Sequence, residues 1–191
     1  APSVGFMQPW TFVLVRTDEA KRAMYDHFIE VNRRAAEVHP DDRGEKYRSL
    51  KLQGLLDAPV HVLVLCDPTR AGEHVLGRFT MPETDVYSTC LAIQNLWLAA
   101  RAEGLGVGWM SLFEPPFVRA LFGVPEHVTT VAYLTLGHPV SLPDEPLLAR
   151  VGWAARRPLS DVVREGTWGG PSFAERVIDA DVDHVHRHAR R

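Results

Sequence analysis

Cysteine is scarce in this chain. Its two residues, Cys66 and Cys90, stand far apart and in no metal-ligand spacing, which argues against a disulfide framework or a thiolate zinc site. Two buried free thiols in a reducing, cytoplasmic setting are the expectation. Charge of one sign is lacking too: 21 Lys and Arg face 24 Asp and Glu, a formal net charge of -3. No basic footprint for nucleic acid is present. No run approaches the ~20 consecutive apolar residues of a membrane-crossing helix. The stretch APSVGFMQ has neither the basic nor the apolar region of a signal peptide. No serine sits in a GxSxG elbow, which argues against a hydrolase, and the chain has neither an internal repeat nor a low-complexity block.

What is present suits a folded domain with one sizeable core: 191 residues, 46% hydrophobic and 24% charged, with 14 Gly and 14 Pro as punctuation. Three short β-branched runs bounded by turn or polar residues predict buried strands, WTFVLVR, VHVLVLCD and VTTVAYLTLGHP, and the glycine-laden GVGWMSLF predicts a fourth. Helical patterns lie between them. Asp18 to Val38 follows the capping-type Thr17 and places Met24, Phe28 and Val31 on one face. Ser88 to Glu103 is apolar on most sides and stops at Gly104, so a central helix buried by its neighbours is expected. A shorter helix follows Pro115 and Pro116 and ends at Gly123. Strands alternating with helices predict an α/β or α+β layered domain.

Candidate chemistry is sparse. GLGVG at 104–108 follows a helix and enters a strand, the reverse of a dinucleotide-binding fingerprint. His184, His186 and His188 alternate like metal ligands, but flanking arginines in a terminal stretch read as a solvated segment, and no metal site is expected. Asp57, Asp67, Asp85 and Asp161 form no pair of telling spacing. There remain polar residues in loops at strand ends, where rigid scaffolds bind ligands: Ser3, Gln8, Lys51, Ser111, Arg156 and Arg157. Composition and spacing alone stop at an enzyme or ligand-binding domain.

Read together, PSVGFMQPW, KYRSLKL, DVYST, NLWLAARAEGLGVGW and Ser111 resemble the BluB branch of the nitroreductase family, the 5,6-dimethylbenzimidazole synthases, from Pro2 to about Gly169. General nitroreductases carry PSxxNxQPW at the first of these places; here Phe6 stands where their Asn does. The resemblance implies an α+β fold with a central, mostly antiparallel sheet flanked by helices. It also implies an intertwined homodimer whose two flavin sites cross the subunit interface. Residues 1–169 would be the flavin domain and 170–191 a mobile tail. Family members carry two helices and an arginine-rich RRDVR segment ahead of the PSVGFMQPW loop, and the domain is expected to lack them here.

The implied reaction consumes reduced FMN as substrate, supplied by a separate flavin reductase. Molecular oxygen adds to the isoalloxazine, which fragments to 5,6-dimethylbenzimidazole, the lower ligand of vitamin B12, and erythrose 4-phosphate. Two alternatives stand beside it: NAD(P)H-dependent oxidoreduction of the nitroreductase type, and flavin binding without catalysis. By the resemblance Ser3, Gln8 and Lys51 contact the flavin edge and ribityl chain, and Met110, Ser111 and Leu112 pass its redox-active side. The resemblance also implies that Ser111 is the catalytic residue and that Arg156 grips the phosphate. Tyr47 to Lys51 and Thr80 to Tyr87 would cover the site.

Overall fold

The computed structural model describes residues 1–38, 44 and 54–172, and the chain divides into two compact units, Ala1–Leu142 and Pro143–Arg191. The first unit holds a four-stranded sheet. Its elements in chain order are a 3₁₀ turn at Val4–Phe6, β1 Trp10–Val15, α1 Asp18–Glu37, α2 Gly54–Asp57, β2 Val60–Cys66, α3 Thr84–Ala102, β3 Gly106–Met110, α4 Pro115–Phe122 and β4 Thr129–Gly137. The second unit holds two short helices, α5 Leu147–Arg150 and α6 Leu159–Val162, and a bridge between Arg164 and Ser172.

The strands lie in the order β1-β2-β4-β3, every neighbouring pair antiparallel. Trp10 faces Cys66, Cys66 faces Thr129, and Met110 faces Tyr133. That register gathers the start of β1, the end of β2 and the start of β4 at one end of the sheet, while β3 runs toward that end and stops four residues short of it, opposite Tyr133.

Both faces of the central strands are covered, which is why β2 reads as a continuous apolar run rather than an alternating one. Leu63 and Leu65 join Val15, Met24, Phe28, Leu55, Met110, Val118 and Tyr133 on the face covered by α1, α2 and α4. Val62 and Val64 join Ile93, Ala132 and Leu134 under α3. A bulge between Val64 and Leu65 interrupts the pairing of β2 with β4.

Three expectations need correction. The fourth strand ends at Met110 rather than Phe113, because Leu112 and Phe113 leave the sheet to pack on the core beside α4. Cys66 is buried, but Cys90 is only half-buried. And α3 is covered on one side only. Ser88, Thr89, Ala92, Ile93 and Ala100 face the sheet, while Tyr87, Leu91 and Leu98 point outward with 53%, 46% and 59% of their surface exposed. Leu14 of β1 and Trp109 of β3, on the same side of the sheet by alternation, are also exposed. The helix ends as GLGVG requires of a stop signal. Gly104 adopts φ +74, and the Leu105 and Gly104 amides bond to the carbonyls of Ala100 and Arg101, a Schellman closure that favours glycine.

Candidate active site

The PSVGFMQPW loop is built by three successive departures from ordinary backbone. Gly5, Phe6 and Gln8 all have positive φ, at 50°, 54° and 50°, a region that side-chain-bearing residues occupy only when their surroundings hold them there. The holding groups are identifiable. Ser3 Oγ accepts the Gln8 amide at 3.1 Å. Arg70 donates through Nη1 to the carbonyls of Gln8 and Trp10, at 3.1 and 2.8 Å, and through Nη2 to Thr11 Oγ1 at 2.9 Å. The Asp67 amide closes on the Pro9 carbonyl at 2.8 Å. With both backbone groups of Gln8 engaged, its exposed side-chain amide makes no hydrogen bond among the described residues. It is free to meet a ligand.

A second set of contacts joins this loop to the start of α3. The Val4 amide donates to Ser88 Oγ at 3.0 Å, and that hydroxyl donates to the Thr84 carbonyl at 2.6 Å. Arg78 spans the same corner. Its Nη1 bonds the Pro68 carbonyl at 2.7 Å, and its Nη2 pairs with the buried Asp85 carboxylate at 3.3 Å. Sequence reasoning named Asp85 without finding its partner. The two lie seven residues apart across a turn, and nothing in the spacing marks them as a pair. Residues 73–82 border a hollow of about 560 Å³ lined by His74, Leu76, Arg78 and Phe79, and they rest directly on Gly5. A Cβ there would lie 2.6 Å from Val75 Cγ1 and 2.9 Å from the Leu76 carbonyl oxygen. Gly5→Ala is therefore expected to destabilise the protein by ~1–3 kcal/mol, the usual scale for a side chain forced into strained backbone. A urea midpoint unchanged from wild type would show that the two loops are not in register.

The Met110–Leu112 segment stands at the other edge of the sheet. Met110 is buried and anchors the strand end, whereas Ser111 is exposed and its hydroxyl has no hydrogen-bond partner among the described residues. Four residues past Met110 the Glu114 amide donates to His27 Nε2 at 3.0 Å, and the Glu114 carboxylate pairs with Arg34 at 3.0 Å. Arg34 holds that carboxyl below the ordinary range.

The predicted residues thus form two groups. Ser3 and Gln8 are brought together by a direct bond, and Met110, Ser111 and Leu112 follow one another out of β3. The groups lie on opposite edges of the sheet. β2 and β4 stand between them, which is at least ~14 Å across the strands, and Met110 pairs with Tyr133, four residues along β4 from the Thr129 end that Trp10 marks. The whole of the predicted 47–51 cover, Lys51 included, lies outside the described residues, as does all but the start of the predicted tail. Arg156 belongs to the second unit, in irregular, exposed chain. Sequence reasoning missed Arg70 and His27, which act on backbone groups and so leave no motif, and met Ser88 only within DVYST, without its bond to the Val4 amide. Among the described residues no cluster of His, Cys, Asp or Glu could hold a metal, and no helix is long and apolar enough to cross a membrane.

Residues 1–138 match the model of the nitroreductase family, and the chain belongs to that family. Its more particular likeness is to a curated 5,6-dimethylbenzimidazole synthase from Rhodospirillum rubrum, 46% identical over 158 residues, covering 83% of this chain and 75% of that protein. Among solved structures, iodotyrosine deiodinase bound to FMN and 3-iodo-L-tyrosine superposes with a TM-score of 0.66 at 22% identity, over 88% of this chain and 82% of that one. A BluB-like flavoprotein from Clostridium difficile 630 superposes with a TM-score of 0.60 at 20% identity, over 87% and 84%. These two establish a shared fold.

Proposed function

We propose that the chain is an enzyme that fragments reduced FMN with oxygen to 5,6-dimethylbenzimidazole and erythrose 4-phosphate. The observation that carries this reading is the 46% identity to a 5,6-dimethylbenzimidazole synthase across 83% of the chain. The geometry is compatible with a flavin. Gln8 offers a free amide on a loop whose backbone is fixed from both sides, and Ser111 offers a free hydroxyl at a strand end. Flavin edges need such donors, because their oxygen and nitrogen atoms collect charge on reduction. Reduced FMN supplies the electrons and the carbon skeleton, and the protein's task is to hold it, orient it and exclude water.

In this reading Ser3 and Gln8 hold the flavin, and Lys51 and Arg156 contribute cations toward its ribityl chain and phosphate. Ser111 stabilises developing charge by a hydrogen bond from its hydroxyl. A homodimer is part of the proposal, for two reasons. The Gln8 and Ser111 groups stand on opposite edges of the sheet, and their separation is relieved if each site takes one group from either chain. The outward Tyr87, Leu91 and Leu98 stripe of α3, with Leu14 and Trp109 at its flanks, also asks for cover. The enzyme would work in the cytoplasm, where a separate reductase provides reduced FMN.

The test is incubation with chemically reduced FMN in air, with 5,6-dimethylbenzimidazole followed by absorbance and mass. Light scattering on the same sample should give twice the 21.4 kDa of one chain. Product supports the proposal. Rapid NADPH oxidation with a nitroaromatic and no product would replace it with the reductase reading, and tight FMN binding with neither activity would make the chain a flavin-binding module.

A further inference from the structure

His27 lies on α1, far in sequence from any residue of the candidate site, yet its side chain bonds the main chain of the segment after β3. Its ring stacks flat on Phe117, with centroids 3.9 Å apart and planes 9° from parallel. Its Nε2 accepts the Glu114 amide at 3.0 Å. Glu114 is the residue before α4, where its own side chain makes no cap, so the imidazole satisfies an amide that the helix start leaves open. Ser111 therefore sits between the buried end of β3 at Met110 and a span held by the core packing of Leu112 and Phe113, whose main chain is fixed at its far end by the His27 bond to Glu114.

We propose that His27 is a positioning residue for Ser111, holding the Ser111–Glu114 span in place through its unprotonated Nε2. This rests on the proposed role of Ser111. An Nε2 that accepts an amide proton requires the Nδ1–H tautomer, and protonation replaces the acceptor with a donor that opposes the amide. The charged groups facing the ring are Glu114 from the start of α4 and Arg34 from α1, with Glu30 beyond Arg34. Desolvation of the half-buried ring outweighs the attraction of Glu114, with Arg34 adding to it, and so favours the neutral form below the ordinary histidine range. The bond is present at neutral pH and is lost only as the pH falls through the ring's lowered pKa, below the ordinary histidine range.

The experiment compares wild type, His27→Phe and His27→Gln from pH 5 to 8, measuring the rate of 5,6-dimethylbenzimidazole formation from reduced FMN, FMN affinity, and exchange protection of the Glu114 amide by NMR. Phenylalanine keeps the stacking and removes the acceptor, whereas the glutamine carbonyl can take the amide. At pH 7.5 His27→Phe should lose roughly tenfold in rate, the scale of one positioning hydrogen bond, with FMN affinity within about twofold of wild type. His27→Gln should recover most of the rate. The wild-type rate should fall on the acid side while neither variant shows that limb. Equal Glu114 protection in all three proteins overturns the proposal whether or not any of them makes product. So does an acid limb that persists unchanged in both variants. If wild type makes no product at all while Glu114 protection follows the acceptor, the reading of the enzyme has failed and the anchoring of this segment stands.

Discussion

Ser111→Ala is expected to bind FMN within about twofold of wild type and to form 5,6-dimethylbenzimidazole ~10²–10³-fold more slowly, the scale of losing one donor aimed at developing charge. The expectation follows from where the residue stands. Its neighbours do structural work: Met110 is buried under Tyr133, and Leu112 packs against the core. Ser111 does none. Exposed, and without a partner for its hydroxyl among the described residues, it can be truncated without a cavity or a stranded polar group. A loss of rate with binding kept is then a loss of chemistry. Stopped-flow mixing of the reduced flavin complex with oxygenated buffer, with product measured at the end, checks both halves. Parallel loss of binding and product would make Ser111 a ligand contact only.

The second large effect concerns stability. His61 of β2 is fully buried, with Nδ1 2.9 Å from Tyr133 Oη, the two rings edge to face, and Nε2 without a partner among the described residues. Burial, helped by the charge of Lys21, lowers its pKa from 6.5 to about 4. Burial also raises the Tyr133 hydroxyl well above the ordinary tyrosine range, so both partners stay neutral at physiological pH. Above pH 6.5 the folded and unfolded chains bind the same number of protons at this site, and its contribution to stability is complete. As pH falls toward 4, the unfolded chain takes a proton that the folded chain refuses, and stability is lost. The full loss is ~3 kcal/mol, and about 2 kcal/mol of it falls above pH 5, before most carboxylates titrate. Urea unfolding at pH 7.5 and 5.0 measures it. His61→Gln, which can still bond Tyr133, should flatten the difference, and an undiminished slope in that variant would sink the assignment.

Much of the fold was legible because the strands are dense in β-branched residues. WTFVLV, VHVLVLC and TTVAYLTLG became β1, β2 and β4 within a residue or two of expectation, and Pro115 and Gly123 bracketed α4 as the helix signals require. Two errors had physical causes. Hydrophobicity all round α3 was read as burial within one chain, but a single helix on a four-stranded sheet has an outer face, and here that face is apolar. The extent of β3 was misread because Leu112 and Phe113 are as apolar in the turn as they would be in a strand. The candidate site was legible only by resemblance. Ser3, Gln8 and Ser111 carry no spacing signature of their own, and the groups that hold them act through Arg70 and His27 on main-chain atoms.

The burial of β2 on both sides has a further consequence, for folding. A strand with alternating polarity announces its register, since a slip of one residue would expose its apolar face. VHVLVLC offers almost no such signal, because either face could turn toward either layer of helices. His61 breaks the degeneracy. Shifted by one residue, its imidazole would enter the apolar cluster of Val62, Val64, Ile93 and Leu134 on the other face and lose Tyr133. Shifted by two, it would miss Tyr133. A single buried polar pair thus serves as the alignment key for a strand whose other six residues would tolerate misalignment, and its deletion should show first as slow or heterogeneous refolding rather than as lost activity.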